Sequence, residues 1–187
     1  MAIAALCGSG CIIPFATPPL RGEVGAASVI GQSSPSSLHV AVGAHLASGT
    51  RRRDQPFDLG LGWIFEANEH TSASGGYVDG ALFIDRTRRT RTSAGARSEL
   101  RFTPEGPALA AKLRLDYELY GATTGTFLED TDCGSMSGRH YGTGAIGLFA
   151  ETGHVWLPDG NAWVATAGVT LRLPSAIGVW VGIPWCD

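Results

Sequence analysis

Ala108-Leu109-Ala110-Ala111-Lys112-Leu113-Arg114-Leu115-Asp116-Tyr117-Glu118-Leu119-Tyr120 is the stretch that decides the fold. In an extended chain Lys112, Arg114, Asp116 and Glu118 fall on one face, and Leu113, Leu115, Tyr117 and Leu119 on the other. Successive side chains of a strand point to opposite sides, so this period of two marks a strand held between a polar and an apolar environment.

The same alternation recurs along the chain. Strand-like runs are expected at 22–30, 38–47, 57–67, 76–85, 92–103, 108–120, 139–157 and 162–173, separated by turn chemistry such as Pro158-Asp159-Gly160-Asn161. In one run Leu38, Val40, Val42, Ala44 and Leu46 oppose His39, Ala41, Gly43 and His45; in another Arg97, Glu99 and Arg101 oppose Ala96, Ser98, Leu100 and Phe102. The Gly-rich run 139–157 is long enough to carry a bulge. No helical period is present, and the apolar tail 174–185 is too rich in Gly and Pro to assign. The expected fold class is all-β: a single antiparallel up-and-down β-barrel of about eight strands, because closure removes the edges of a long two-faced sheet.

Composition narrows the function classes. A formal net charge of −3 leaves no footprint for nucleic-acid binding. The 26 glycines, without a collagen-like period, suit tight turns and crowded strand faces. No apolar run reaches the roughly 18 residues of a membrane-crossing helix, whereas a spanning strand needs only about 9–11.

Two closures compete. In a soluble calyx the apolar face lines the interior. In a membrane barrel the polar face does, and Arg97, Glu99, Arg101, Lys112, Arg114, Asp116 and Glu118 would neutralise one another in a narrow lumen. Gly60, Gly62, Gly95 and Gly168 lie on the polar face, where a small barrel has little room, and Trp63, Phe65 and Tyr117 lie near strand ends on the apolar face. This pattern resembles small eight-stranded outer-membrane proteins, which implies an envelope barrel with a structural or binding role and no catalysis. The longer connections 48–56, 86–91 and 122–138 all fall at the N-terminal end of the barrel, the reverse of what that resemblance implies for a periplasmic N-terminus. A soluble lipocalin-like or avidin-like barrel around a small apolar ligand therefore stays open.

The segment Gly8-Ser9-Gly10-Cys11, followed by Ile12-Ile13-Pro14, resembles a bacterial lipoprotein signal. That resemblance implies export, a lipid on Cys11, a signal remnant at 1–11, an extended tether at 12–21, and a barrel domain at 22–187. The location implied is the bacterial outer membrane or periplasm, with membrane lipid or an envelope protein as partner. Cys133 and Cys186 are then left as an expected disulfide, which would pin the tail to the longest loop.

Candidate chemistry is sparse. His39 and His45 share a polar face and could form a site with His140 and Asp58; His70 and His154 read as loop or strand-end residues. Asp132, Ser135, Ser137 and His140 lie close in sequence but without a G-x-S-x-G elbow. A barrel enzyme acting on envelope lipids is thus the third reading. Glu129, Asp130 and Asp132 make an acidic loop without an EF-hand spacing. No metal site and no cofactor is expected. Arg51, Arg52 and Arg53, with Arg86, Arg88, Arg89 and Arg91, form a basic turn patch at one barrel end, suited to anionic headgroups or an acidic partner.

Overall fold

The structure is a computed structural model that describes residues 11–32, 36–49, 56–87, 89–122, 125–131 and 134–182. It is all-β apart from one helical turn. The strands are β1 (Cys11–Thr17), β2 (Leu20–Val29), β3 (Ser37–His45), β4 (Phe57–Ala67), β5 (Ser72–Arg86), β6 (Thr90–Thr103), β7 (Gly106–Ala122), β8 (Gly125–Thr131), β9 (Gly134–Tyr141), β10 (Thr143–Leu157), β11 (Gly160–Leu173) and β12 (Ser175–Gly182), and α1 is Leu46–Gly49.

Eight of these strands close a barrel in the order β10-β11-β2-β3-β4-β5-β6-β7, every pair antiparallel. Apart from the β11–β2 and β7–β10 seams, neighbouring staves are consecutive in the chain, the up-and-down topology expected from the alternation. The two ends differ. At one, β6 and β7 are joined across Pro104-Glu105, β10 and β11 across Pro158-Asp159, and β4 and β5 by a turn in which the Asn68 carboxamide oxygen accepts from the amides of His70 and Thr71 at 2.9 Å. At the other lie α1, the β5–β6 turn, β8 and β9.

That second end carries a feature the alternation did not disclose. A four-stranded sheet of order β1-β12-β9-β8 stands on the barrel rim. β1 leads into β2, β12 follows β11 across Pro174, β9 leads into β10 across Gly142, and β8 follows β7, so the sheet prolongs four neighbouring staves in their own order. Two expectations change here. Residues 12–21 are extended but do not hang as a tether. Ile12 to Thr17 pair with Val181 to Ala176, and Leu20 and Arg21 already belong to the barrel wall, because Pro18-Pro19 interrupts pairing for only two residues. The long run 139–157 is divided at Gly142, whose φ of 118° is open to glycine and strained for other residues.

Glycine also has a packing role. Gly43, Gly62 and Tyr77 lie side by side across β3, β4 and β5. A Cβ on Gly43 would come 2.3 Å from the Tyr77 hydroxyl, and one on Gly62 would come 2.8 Å from its ring. The two glycines are the bed on which the tyrosine lies.

Candidate functional site: the lumen and the outer wall

Along β7 the orientation of the barrel is unambiguous. Lys112, Arg114, Asp116 and Glu118 are 2%, 5%, 1% and 1% exposed, while Leu113 and Leu115 are 69% and 52% exposed. The polar face is inside. A calyx would need those leucines within, so no apolar calyx forms. The interior is inverted relative to a water-soluble protein, with its charges buried and its aliphatic residues outside.

The network expected from sequence, Arg97, Glu99, Arg101, Lys112, Arg114, Asp116 and Glu118, is assembled in the lumen. Arg91 of β6 joins it, and other staves add Arg21, Glu23, His39, His45, Asp58, Glu66, Asp79, Glu151 and Arg172, each arginine within ion-pair distance of a carboxylate and each histidine beside one. Three tiers follow one another along the axis. Near the short turns, Arg101 binds both oxygens of Glu66 at 2.7 and 2.9 Å, Lys112 lies 3.1 Å from Glu99, and His39 Nδ1 lies 2.9 Å from Glu66. In the middle, Glu23 meets Arg97 through both guanidinium nitrogens at 2.9 Å and Arg114 at 3.0 Å. Glu151 joins the same two arginines at 3.0 and 2.5 Å. Towards the extension, Arg172 bridges Asp58 and Glu118 at 2.6 Å each, Arg91 holds Glu118 at 2.5 Å, and Arg21 binds Asp116.

Forks of arginine suit this space. A guanidinium presents several donors in one plane and can satisfy two carboxylates at once, which an ammonium does less well. The faces of the planes are used too: Arg97 lies 4.2 Å over the Tyr77 ring and Arg114 4.5 Å over Phe149. Among the described residues, seven arginine and lysine side chains meet eight carboxylates in the lumen, so the buried charge nearly cancels. A buried charge is tolerated only when paired and hydrogen-bonded, and here Glu23, Glu66, Glu151, Arg97, Arg114 and Arg172 each bridge two or more other strands.

Comparison with known protein families, curated proteins and solved structures finds no match. The site must therefore be read from its own geometry.

The remaining candidates are dispersed. His39 and His45 are buried in the lumen, His45 between Asp58 at 3.1 Å and the Tyr77 hydroxyl at 3.2 Å. His140 is in the extension, its ring 4.6 Å from Phe127, so the three histidines do not converge. Ser135 and Ser137 alternate with His140 along β9 and therefore face the opposite side from it. His70 is exposed in a turn, and His154 packs between Trp156 and Trp163 on the outer wall. No group of three or more metal-ligating side chains occurs among the described residues. Glu129 and Asp130 sit on β8 and are exposed.

The basic patch divides. Arg89 is exposed at the β5–β6 turn, but Arg91 is not a turn residue: it is the second residue of β6, on the same side as Ser93 and Arg97, and is buried against Glu118. Arg86 pairs with Arg91 in the strand register. Arg51, Arg52, Arg53 and Arg88 lie outside the described residues, as do Cys133 and Cys186; Cys11 opens β1.

The wall outside the lumen is a band of exposed Val24, Leu38, Val42, Leu59, Leu61, Val78, Leu82, Leu113, Leu115, Ile146, Leu148, Val169 and Leu171. Aromatic side chains border it. Phe65, Phe102, Trp156 and Trp163 are exposed near the short turns, and Phe57 and Tyr117 towards the extension. On β7 the exposed apolar set runs from Leu109 to Leu119. The ten steps from Leu109 to Leu119 at about 3.3 Å each, tilted by roughly 40°, make a band of about 25 Å.

Proposed function

We propose that this chain is a bacterial envelope β-barrel, seated in the outer membrane, with a structural or binding role and no conducting pore. The observation that carries the reading is the outer wall. An exposed apolar patch on a soluble monomer rarely exceeds a few hundred Å², whereas here the apolar face encircles the barrel at a height matching the lipid-facing band of membrane barrels. The aromatic side chains at both borders fit the two water–lipid interfaces. The lumen supports the negative half of the reading. Its cross-section is taken up by interlocked ion pairs, so neither ions nor a small apolar ligand has a path through it.

Vesicle flotation of the full chain tests this. The chain refolded in detergent should float with lipid vesicles after the detergent is removed, and should aggregate when no lipid is supplied. A monodisperse, fully soluble chain without detergent or lipid would refute the membrane reading.

A further inference from the structure

The four-stranded extension carries a groove of about 840 Å³ on one face, within the size range of ligand sites. Its floor is the backbone of a row that crosses all four strands, Phe15–Gly178–Gly138–Phe127. On one side stand Pro14, Val179, Ser137 and Leu128; on the other are Ile177 and Arg139.

Two features say what this groove meets. The first is its position. The outward set of β11, Val169, Leu171 and Leu173, continues at the same parity as Ile177, Val179 and Val181 in β12, all exposed. The groove therefore opens on the outer side, directly beyond the apolar band. Ile177 and its neighbour Arg139 are four residues past Leu173, about 13 Å along the strand and about 10 Å along the axis at a tilt of roughly 40°, so a long side chain at 139 has to reach back by only a few ångströms to meet the headgroups. The headgroup layer adds about 5–8 Å beyond each side of the hydrocarbon. The second feature is charge. Every described arginine in the lumen is held by carboxylates, whereas Arg139 is exposed and no carboxylate lies against it among the described residues.

We infer that this groove is a site for an anionic membrane lipid of the adjoining leaflet, with Arg139 on its phosphate and one acyl chain running back past Ile177 towards Leu173 and the apolar band. The site rests on the membrane reading above and deepens it by naming a ligand class. Arginine favours a phosphate through two parallel hydrogen bonds, which a choline-masked headgroup does not remove but whose net charge it cancels. The expected preference is therefore for net-anionic over zwitterionic lipid.

Native mass spectrometry of the full chain in a non-ionic detergent, titrated with dioleoylphosphatidylglycerol or dioleoylphosphatidylcholine, tests the site. One phosphatidylglycerol should be retained at least about tenfold better than phosphatidylcholine. Arg139→Gln should abolish that preference, Arg139→Lys should keep part of it, and Ile177→Ser should weaken both lipids. Arg89→Gln, an exposed arginine on the same end of the barrel, should change nothing. Equal retention of the two lipids, or the same loss in Arg89→Gln as in Arg139→Gln, would overturn the proposal. Each variant is first checked for a folded barrel by circular dichroism. Failure here with successful vesicle flotation removes only the lipid site; a chain soluble without detergent removes the membrane reading and the site with it.

Discussion

Glu23 and Arg97, 74 residues apart in sequence, meet through two hydrogen bonds of 2.9 Å in the middle of the lumen. Their strands, β2 and β6, lie across the barrel from each other and share no backbone pairing. The contact therefore ties opposite walls together through the interior, and Arg114, from a third stave, binds the same carboxylate.

Removing that carboxylate should be among the most damaging single changes to the lumen. Glu23→Ala leaves the guanidiniums of Arg21, Arg97 and Arg114 facing one another, and breaking a buried pair costs about 3–5 kcal/mol. Glu23→Gln keeps the shape and some acceptors and should cost less. Urea unfolding in lipid vesicles measures both; a loss below about 1 kcal/mol for Glu23→Ala would show that the network contributes little to stability.

The Tyr77 bed gives a packing test. Gly62→Val sets a branched side chain against the Tyr77 ring and also against the backbone of β3, where its Cβ would come 2.2 Å from the Val42 carbonyl oxygen, and should destabilise by about 1–3 kcal/mol or more. Combined with Tyr77→Ala, the part of that penalty owed to the ring should disappear while the backbone part stays. A double-mutant cycle with no coupling between the two positions would place the whole cost at the backbone.

Planar-bilayer recording addresses the closed lumen. The reconstituted chain should show no discrete conductance steps, because Arg97, Arg114, Glu23 and Glu151 occupy the middle of the barrel. Reproducible single-channel openings at moderate voltage would contradict a sealed interior.

The cysteines give a fourth test. β9 begins at Gly134 and β12 ends at Gly182, and these two residues are register partners, with Cys11 paired to Gly182 on the other side. A non-reducing peptide map of the chain produced in an oxidising compartment should show Cys133 joined to Cys186, with reduction costing about 2–4 kcal/mol of stability. A bridge to Cys11 would contradict that pairing.

The staves were legible because each is an alternating strand with one wet and one dry face, and the run 57–67 coincides with β4 residue for residue. The extension was not. β1 has apolar residues on both sides, with Ile12 and Ile13 both exposed, and β8, β9 and β12 lack a clean period, so nothing in their patterning separates a strand from a loop. Seven members of the lumen network were legible on β6 and β7, where charges come every second residue. Asp79 and Glu151 have no charged residue two positions away on their own strand, and only closure of the barrel shows that they meet the network. Arg91 was misread because a cluster of arginines resembles a turn until the strand is seen to start at Thr90.

The orientation of Leu115 in a bilayer tests the central claim most directly. A nitroxide attached through an encoded ketone amino acid at position 115, with all cysteines left in place, can be read by electron paramagnetic resonance in vesicles. With the apolar wall in lipid, collisions with oxygen should far exceed those with a water-soluble nickel chelate, and position 113 should behave alike. Free access of the nickel chelate to both positions, in a barrel that remains folded, would contradict the membrane-facing wall.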